Sequence, residues 1–260
     1  MTNEPAIRIR DVWMSFPGKN GGEAIHVLES IQTEVAPGEF VCIVGPSGCG
    51  KSTLLNMVGG FLPVIEGEIT VEGEPVTKPD PRRIFVFQEN GVFPWLTVRE
   101  NIGFGLRRQT EAERARIVGH YTEMVGLTGF EGAYPRELSG GMRQRVEIAR
   151  ALAANPDIIY MDEPFGALDF ITRMKMRADL VRIWQAEKKT ILFVTHDIEE
   201  AVQLADRVLV MSRRPATIQE AVEIDLPRPR DLDSRGYLEK RDHIFRLMGM
   251  SLRVGENAVG

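Results

Sequence analysis

Short apolar runs alternate with longer amphipathic stretches along the chain. Most of these runs are unbroken by polar residues, which is typical of strands that are buried on both faces. Residues 7–9 instead alternate apolar and charged side chains, and this pattern predicts a half-exposed strand. The unbroken runs lie at residues 40–44, 84–87, 158–161, 191–194 and 208–211. Because strand and helix patterns alternate, the sequence predicts an α/β fold with much parallel sheet.

The middle and the end of the chain have a more helical pattern. Residues from about 89 to 155 predict helices with loops, among them a helix over residues 143–154, and we expect them to form a helical subdomain. Residues 232–248 are amphipathic and predict one or two further helices. We therefore expect a main domain over residues 1–225 and a helical C-terminal tail over residues 226–260.

Composition and charge exclude several classes of protein. The 260 residues are 43% apolar and 27% charged, which is ordinary for a globular protein and excludes a disordered chain. The net charge of −5 makes a general nucleic-acid binder a poor candidate. Cys42 and Cys49 are too few for a disulfide scaffold and favour a reducing, cytosolic compartment. No apolar run approaches the ~20 residues of a membrane-spanning helix.

A glycine-rich segment follows the first unbroken run. Residues 45–52, Gly-Pro-Ser-Gly-Cys-Gly-Lys-Ser, fit the pattern of a phosphate-binding loop, and we call them the phosphate loop. Its glycines let several backbone N–H groups face one anion, and the following helix adds partial positive charge. Lys51 can reach the β- and γ-phosphates of a nucleotide, and Ser52 can bind Mg²⁺. The alternative is a glycine-rich turn with an exposed lysine.

Polar side chains follow two other predicted strands. Asp162 and Glu163 come after the run at 158–161, and His196 follows the run at 191–194. In parallel sheets, ligands bind at the carboxyl ends of strands. We expect Asp162 beside a metal ion, Glu163 on the water that attacks the γ-phosphate, and His196 positioning that water or bonding the phosphate. The alternatives are a solvated acidic pair at a turn and a structural histidine.

A second glycine motif narrows the class. Ser139, Gly140 and Gly141, which we call the Ser-Gly-Gly motif, precede the predicted helix at 143–154, and Ser139 lies near the N-cap position. Glycine N–H groups at a helix N-terminus make a second anion site. The alternative is an ordinary N-cap, but it does not explain why one chain carries two phosphate-type sites.

The chain resembles the ATP-binding subunits of ABC transporters over about residues 7–225. Six motifs in order carry the resemblance: GPSGCGKS, Phe87-Gln88, LSGGMRQR from Leu138, IIYMDEP from Ile158, Gly166-Ala167-Leu168-Asp169 and Thr195-His196. FQENGVFPWLTVRENI, LSGGMRQRVEIARAL, DEPFGALD and the late DLPRPR at 225–230 are most similar to the importers of the nitrate, sulfonate and taurine type.

The resemblance implies a P-loop NTPase fold with a mostly parallel core sheet, an antiparallel N-terminal β subdomain and a helical subdomain. It also implies that two copies pair head to tail, with each ATP between the phosphate loop of one and the Ser-Gly-Gly motif of the other. The expected nucleotide-binding residues are Phe16, Gly45, Pro46, Ser47, Gly48, Cys49, Gly50, Lys51, Ser52, Thr53, Ser139, Gly140, Gly141 and Asp169.

Individual roles follow from the same resemblance. Gln88 would reach Mg²⁺ and the attacking water, so the expected metal ligands are Ser52, Gln88 and Asp162, and the expected catalytic residues are Lys51, Gln88, Glu163 and His196. Asp169 would lie at the dimer contact. Phe16 would stack on adenine, with Trp13 as its rival.

The implied partners are a second copy of the chain, separate transmembrane permease subunits and, indirectly, a periplasmic solute-binding protein, with no nucleic acid. The chain would then lie peripherally on the cytoplasmic face of the bacterial inner membrane. The apolar segment at residues 92–96 is either core of the helical subdomain or a permease-docking surface with Trp95 as anchor. We expect Arg143, Arg145 and Arg150 to form a solvated or salt-bridged helix face.

Two other functions compete with this interpretation. A soluble ABC ATPase acting on DNA or ribosomes usually carries a coiled-coil insertion or a second ATPase domain, and neither fits in 260 residues. A small-molecule kinase would use the phosphate loop but leaves the Ser-Gly-Gly motif unexplained.

Overall fold

The computed structural model describes residues 4–18, 22–87, 91–166 and 168–250. The chain divides into two compact units. Unit 1 comprises Met1–Asp80 and Thr190–Gly260, and unit 2 comprises Pro81–Lys189. The predicted division at residue 225 stays a prediction. No helix in the described ranges is long and apolar enough to cross a membrane.

Unit 1 contains an antiparallel sheet near the N-terminus. Its strands are β1 (Ile7–Phe16), β2 (Ile25–Val35), β4 (Glu66–Val71) and β5 (Glu74–Pro75), in the order β2-β1-β4-β5. Buried and exposed side chains alternate over much of β1, as expected of a sheet with one face on the core. The expected antiparallel β subdomain is therefore confirmed.

The second sheet of unit 1 is mostly parallel. Strands β3 (Phe40–Val44), β8 (Thr190–Val194), β9 (Arg207–Met211) and β10 (Ile218–Glu223) lie in the order β10-β9-β3-β8, and only the β9–β10 pair is antiparallel. All residues of β3 and β8 are buried, because helices pack on this sheet. These helices are α1 (Lys51–Val58), α6 (Ile198–Leu204) and α7 (Arg235–Leu247).

Unit 2 combines a parallel strand pair with helices. Strands β6 (Arg83–Val86) and β7 (Ile158–Asp162) pair in parallel. The helices are α2 (Val98–Ile102), α3 (Glu111–Met124), α4 (Gly140–Ala153) and α5 (Phe170–Glu187), with 3₁₀ turns at Gly103–Gly105 and Pro135–Glu137. The α/β fold predicted from the alternating patterns is confirmed.

Two predicted boundaries differ from the structure. The helix expected at residues 143–154 begins at Gly140, because the cap at Ser139 starts it three residues earlier. The run at 84–87 predicts a strand that is shifted by one residue, since β6 begins at Arg83 and ends at Val86. Phe87 is half exposed and stacks on Phe85 with ring centroids 4.4 Å apart. Its apolar character therefore reflects ring packing rather than a place in the strand.

Candidate functional site

The phosphate loop begins directly after β3, and its last two residues, Lys51 and Ser52, are the first two residues of α1. Gly48 has φ of +71° and Gly50 has φ of +124°, both in the region that favours glycine. A Cβ atom at Gly50 would also lie 2.8 Å from Val27 Cγ1 and 2.9 Å from Leu28 Cδ2. Conformation and packing therefore both require glycine at this position.

Lys51 is the first residue of α1, and its side chain turns back over the loop. Its Nζ donates hydrogen bonds to the carbonyl oxygens of Gly45 at 2.9 Å and Pro46 at 3.1 Å. Only 5% of the residue is exposed. The ammonium group is thus fixed beside the loop backbone at a helix N-terminus, where an anion is stabilised.

Cys49 packs inside the phosphate loop. It is 2% exposed, and its Sγ lies 3.0 Å from the position of a Cβ atom on Gly45. Burial raises the pKa of this thiol above its usual value, although the charge of Lys51 opposes the shift. The sequence alone places a thiol in the loop; the structure adds that the thiol is enclosed and less readily ionised.

The parallel register of unit 1 brings the end of β8 beside the end of β3. Ile43 pairs with Val194, and the N–H of Thr195 donates to the carbonyl of Ile43 at 3.1 Å. His196 is the next residue and is exposed. The structure therefore places His196 at the same edge of the sheet as the phosphate loop.

The backbone on both sides of His196 is fixed by hydrogen bonds. Thr195 Oγ1 donates to Glu200 at 2.7 Å and accepts from the N–H of Asp197 at 3.0 Å. Asp197 is the N-cap of α6, and its Oδ1 accepts from the N–H groups of Glu199 and Glu200. These bonds limit how far the backbone of His196 can move, so its position at the edge of the sheet is well defined.

Arg214 is a candidate that the sequence did not reveal. It follows β9, which pairs in parallel with β3, and it is exposed. A Cβ atom at Gly48 would lie 3.7 Å from Arg214 Nη2. In the sequence, Arg214 is only a basic residue that follows a predicted strand. It becomes a candidate once the strand order shows that this strand lies beside β3. Arg214 adds positive charge to the surroundings of the phosphate loop.

The two neighbouring carboxylates belong to unit 2 and have different surroundings. Asp162 is the last residue of β7 and is buried. Glu163 begins the following turn with φ of +45°, and its carbonyl accepts from the N–H of Gly166 at 3.1 Å. A left-handed conformation is uncommon for glutamate and costs free energy, so the chain keeps it only where other contacts enforce it.

The Ser-Gly-Gly motif forms the start of α4. Ser139 is the N-cap, and its Oγ accepts from the N–H of Met142 at 3.2 Å, which confirms the predicted cap. Gly140 and Gly141 are the first two helical residues, so their N–H groups belong to the turn that carries the positive end of the helix dipole.

The start of α5 packs against this motif within unit 2. Asp169 is the N-cap of α5, and its Oδ1 accepts from the N–H of Thr172 at 3.0 Å. The hydroxyl and the backbone N–H of Thr172 lower the pKa of Asp169. A Cβ atom at Gly141 would lie 2.7 Å from Thr172 Cγ2, whereas one at Gly140 would meet no atom of the described chain within 4 Å. The N-termini of α4 and α5 thus lie side by side, and Asp169 caps the second of them.

The two candidate adenine-stacking residues lie on β1 in unit 1. Phe16 is half-buried at the end of the strand, opposite Ile25. Trp13 is also half-buried, and its ring N–H donates to Asp11 at 2.9 Å. The choice of Phe16 over Trp13 stays a prediction.

The apolar segment at residues 92–96 divides between core and surface. Val92 is buried, while Trp95 is 69% exposed. The ring of Phe93 contacts Trp95, with centroids 5.6 Å apart, and Phe104, with centroids 4.4 Å apart. These three rings form an aromatic patch, which we name by Phe93, Trp95 and Phe104.

Asn101 fixes the backbone below the aromatic patch. Its side chain is fully buried, accepts from the N–H of Phe93 and donates to the carbonyls of Phe93 and Leu96. A buried amide with this many partners holds a loop in one conformation. The exposure of Trp95 therefore results from a defined loop structure.

The expectation for the arginines of α4 is partly wrong. Arg145 donates to the carbonyl of Val125 at 3.2 Å, and the guanidinium of Arg150 lies 4.7 Å from the centre of the Phe93 ring. These side chains stabilise unit 2 by a hydrogen bond and by a cation–π contact instead of forming a solvated face. The charge of Arg150 also attracts Glu147, which agrees with the alternative of paired charges.

Four residues of the predicted motifs, Gln88, Glu89, Asn90 and Ala167, lie outside the described residues. The phosphate loop, His196 and Arg214 belong to unit 1; Asp162, Glu163, the Ser-Gly-Gly motif and Asp169 belong to unit 2.

Comparison with known proteins agrees with these motifs. A family model described as ABC transporter matches residues 28–166. The aliphatic sulfonates import ATP-binding protein SsuB of Bacillus cereus is 44% identical over 240 residues, which cover 92% of this chain and 94% of that one. An uncharacterised ABC transporter ATP-binding protein of Methanocaldococcus jannaschii is 48% identical over 229 residues, covering 87% and 86%.

Two solved structures are also similar. A dimeric bacterial ABC transporter cassette has a TM-score of 0.73 and 33% identity, covering 84% of this chain and 98% of that one. The same cassette in a post-hydrolysis state bound to ADP and Pi has a TM-score of 0.72 and 32% identity, with the same coverage. The chain therefore belongs to the ABC transporter family and is an ATP-binding ATPase cassette.

Proposed function

We propose that this chain hydrolyses ATP to drive import of a small solute of the nitrate, sulfonate or taurine type through a separate transmembrane dimer. The observation that carries the proposal is the presence of two phosphate-type cradles, the phosphate loop in unit 1 and the capped start of α4 in unit 2. The solute class is supported by the SsuB relatives, which are named aliphatic sulfonates import ATP-binding proteins.

In the proposed reaction, water attacks the γ-phosphate in line and the bond between the γ-phosphorus and the bridging oxygen breaks. Glu163 accepts the proton of the water, and ADP and phosphate leave. Lys51 stabilises the charge on the phosphates, while His196 and Gln88 orient the water. The left-handed conformation of Glu163 supports a functional role, because such strain collects at active sites.

Magnesium fits the proposed donor set. The side chains of Ser52, Gln88 and Asp162 offer a hydroxyl, an amide and a carboxylate oxygen, which are ligands that Mg²⁺ accepts alongside phosphate and water. Among the described residues there is no cluster of three or more His, Cys, Asp or Glu for a metal ion. The bound ion would neutralise charge that develops on the phosphates.

We propose further that ATP joins two copies head to tail. The Ser-Gly-Gly motif of one copy would cap the γ-phosphate held by the phosphate loop of the other, with Asp169 at the contact and Phe16 on the adenine. The open space beside Gly140 supports this, because a phosphate could approach the backbone there. The similar cassette that was solved as a dimer also supports it.

The aromatic patch is the proposed permease-docking surface, with Trp95 as its anchor. Exposed aromatic side chains on a fixed loop are suited to bind a short amphipathic helix. The chain would then lie on the cytoplasmic face of the inner membrane, with a periplasmic solute-binding protein as an indirect partner.

The catalytic part of the proposal is tested with Glu163→Gln. We expect this variant to bind ATP, to hydrolyse it at least ~100-fold more slowly, and to elute as an ATP-dependent dimer in size-exclusion chromatography. Adding Ser139→Arg should abolish the dimer while the monomer still binds ATP. Normal turnover by Glu163→Gln would remove Glu163 as the base, and a dimer that survives Ser139→Arg would refute capping in trans.

The solute class is tested by growth. A strain lacking this chain should fail to grow on an alkanesulfonate or taurine as sole sulfur source, or on nitrate as sole nitrogen source. The unchanged chain should restore growth and Glu163→Gln should not. Normal growth of the deletion strain on all three would refute the solute class without affecting the ATPase assignment.

A further inference from the structure

Glu147 is a buried carboxylate that the proposed reaction does not use. It lies on α4 in unit 2 and is 1% exposed. Burial raises its pKa above the usual value for glutamate. Since burying a carboxylate is costly unless specific groups compensate, its partners indicate what the side chain does.

The partners of Glu147 are backbone groups on another segment of unit 2. The N–H of Gly91 donates to Glu147 Oε2 at 3.1 Å, and a backbone hydrogen bond from Phe87 also favours the ionised carboxylate. A Cβ atom at Gly91 would lie 2.7 Å from Glu147 Oε1. One carboxylate on α4 therefore interacts with the chain on both sides of residues 88–90.

Arg150, three residues further along α4, extends this connection. Its charge attracts the carboxylate of Glu147, and its guanidinium lies over the ring of Phe93, 4.7 Å from the centre. Phe93 in turn contacts Trp95 in the aromatic patch. Glu147 and Arg150 thus connect the helix that begins with the Ser-Gly-Gly motif to Phe87, to Gly91 and, through Phe93, to the aromatic patch.

We propose that Glu147 is a positioning residue of the ATPase, which fixes the backbone at Phe87 and Gly91 to α4 so that the aromatic patch and the Ser-Gly-Gly motif move as one body. This rests on the proposed function, because it assigns the patch to the permease and the motif to ATP. Glu147 acts through Gly91 and Phe87 and does not itself contact ATP.

Glutamate suits this task better than glutamine. Its ionised carboxylate accepts from backbone N–H groups and is attracted by the charge of Arg150, whereas glutamine is uncharged and makes weaker hydrogen bonds to the same donors. Glycine at 91 is equally required, because an added methyl group would displace the carboxylate. The two residues therefore form a testable pair.

The test compares Glu147→Gln, Glu147→Ala and Gly91→Ala in the purified full chain with ATP and Mg²⁺. Glu111→Gln, at an exposed position on α3, is the matched control. We expect the amide of Gly91 to exchange hydrogen faster in Glu147→Ala, and kcat to fall at least ~tenfold while the Kd for ATP stays within about twofold, because the cradles remain intact. Glu147→Gln should lie between wild type and Glu147→Ala.

The double variant with both Gly91→Ala and Glu147→Ala should lose no more activity than Glu147→Ala alone, because the added methyl group then has no carboxylate to displace and meets only the flexible end of Arg150, with Nη2 at 3.3 Å. The proposal would be overturned if the activity losses of the two single variants multiplied in the double variant. It would also be overturned if kcat of Glu147→Ala stayed within twofold of the wild type. If that variant does not fold, Gly91→Ala and Glu147→Gln decide the question by the same measurements. Lack of ATP hydrolysis by the wild type would count against the proposed function instead.

Discussion

The adjacent glycines of the Ser-Gly-Gly motif should respond to alanine in opposite ways. Both are in the first turn of α4, so alanine brings each a similar gain in helix propensity, at most ~1 kcal/mol. Only at Gly141 does the new methyl group meet a neighbour, 2.7 Å from Thr172 Cγ2. Overpacking of this kind costs about 1–3 kcal/mol, so we expect Gly141→Ala to be less stable than Gly140→Ala by that amount.

Urea unfolding of the full chain followed by circular dichroism measures this difference. Thr172→Ser removes Cγ2 but keeps the hydroxyl beside Asp169. In Gly141→Ala it should therefore raise the free energy of unfolding by about 1–3 kcal/mol, whereas in the wild type it should change that free energy far less. Gly140→Ala should be more stable than the wild type by at most ~1 kcal/mol but should lose ATP hydrolysis, if a phosphate approaches this residue in a dimer. Equal stability of the two alanine variants, or no rescue by Thr172→Ser, would refute the steric reasoning.

Three further predictions concern other parts of the chain. Cys49 should react with a bulky thiol reagent more slowly than a free cysteine at pH 8, because burial shields it and raises its pKa; an unhindered rate in a time course would contradict its placement. Asp169→Ala should lower the urea midpoint of unfolding and Asp169→Asn should lower it less, since asparagine still caps α5. The pKa of Asp169 is lowered in the folded chain, so its ionised form stabilises the fold at pH values above the unfolded pKa near 3.8. This stabilisation is lost as the pH falls through the lower folded pKa. In Asp169→Asn, the free energy of unfolding should therefore change less with pH in this range. Arg230 donates to three backbone carbonyls in its partly buried site, so Arg230→Met should cost about 2–4 kcal/mol in urea unfolding, and a neutral result would mean that water replaces these bonds.

Local patterns in the sequence were enough to predict much of the fold. The unbroken runs at 40–44 and 191–194 became the fully buried strands β3 and β8, because strands covered on both faces tolerate few polar side chains. The phosphate loop and the cap at Ser139 were predicted because their chemistry depends on residues at most eight positions apart. The roles of Gln88, Asp169 and Phe16 still depend on the family resemblance.

Contacts between distant residues could not be predicted in this way. Glu147 looks like one more solvated glutamate on an amphipathic helix, yet its partner Gly91 is 56 residues away. Arg145 and Arg150 look like a charged face, and their partners Val125 and Phe93 are equally invisible in the helical pattern. Spacing within a helix predicts which residues share a face, but not what the tertiary fold places against that face.

The position of Glu147 on α4 explains how one helix can serve two parts of the proposed cycle. At 1.5 Å per residue, Glu147 lies ~12 Å along the helix from Ser139, so the cradle and the fixed backbone at Gly91 are two turns apart on the same rigid element. A helix whose inner residues are buried moves as a body, because shifting one turn alone would break hydrogen bonds and packing. Any displacement of the Ser-Gly-Gly motif by a bound phosphate must therefore also displace Gly91 and Phe93, provided that Glu147 and Arg150 keep their contacts. Removing those contacts should separate the two events, leaving ATP-dependent pairing intact while hydrolysis no longer responds to the aromatic patch.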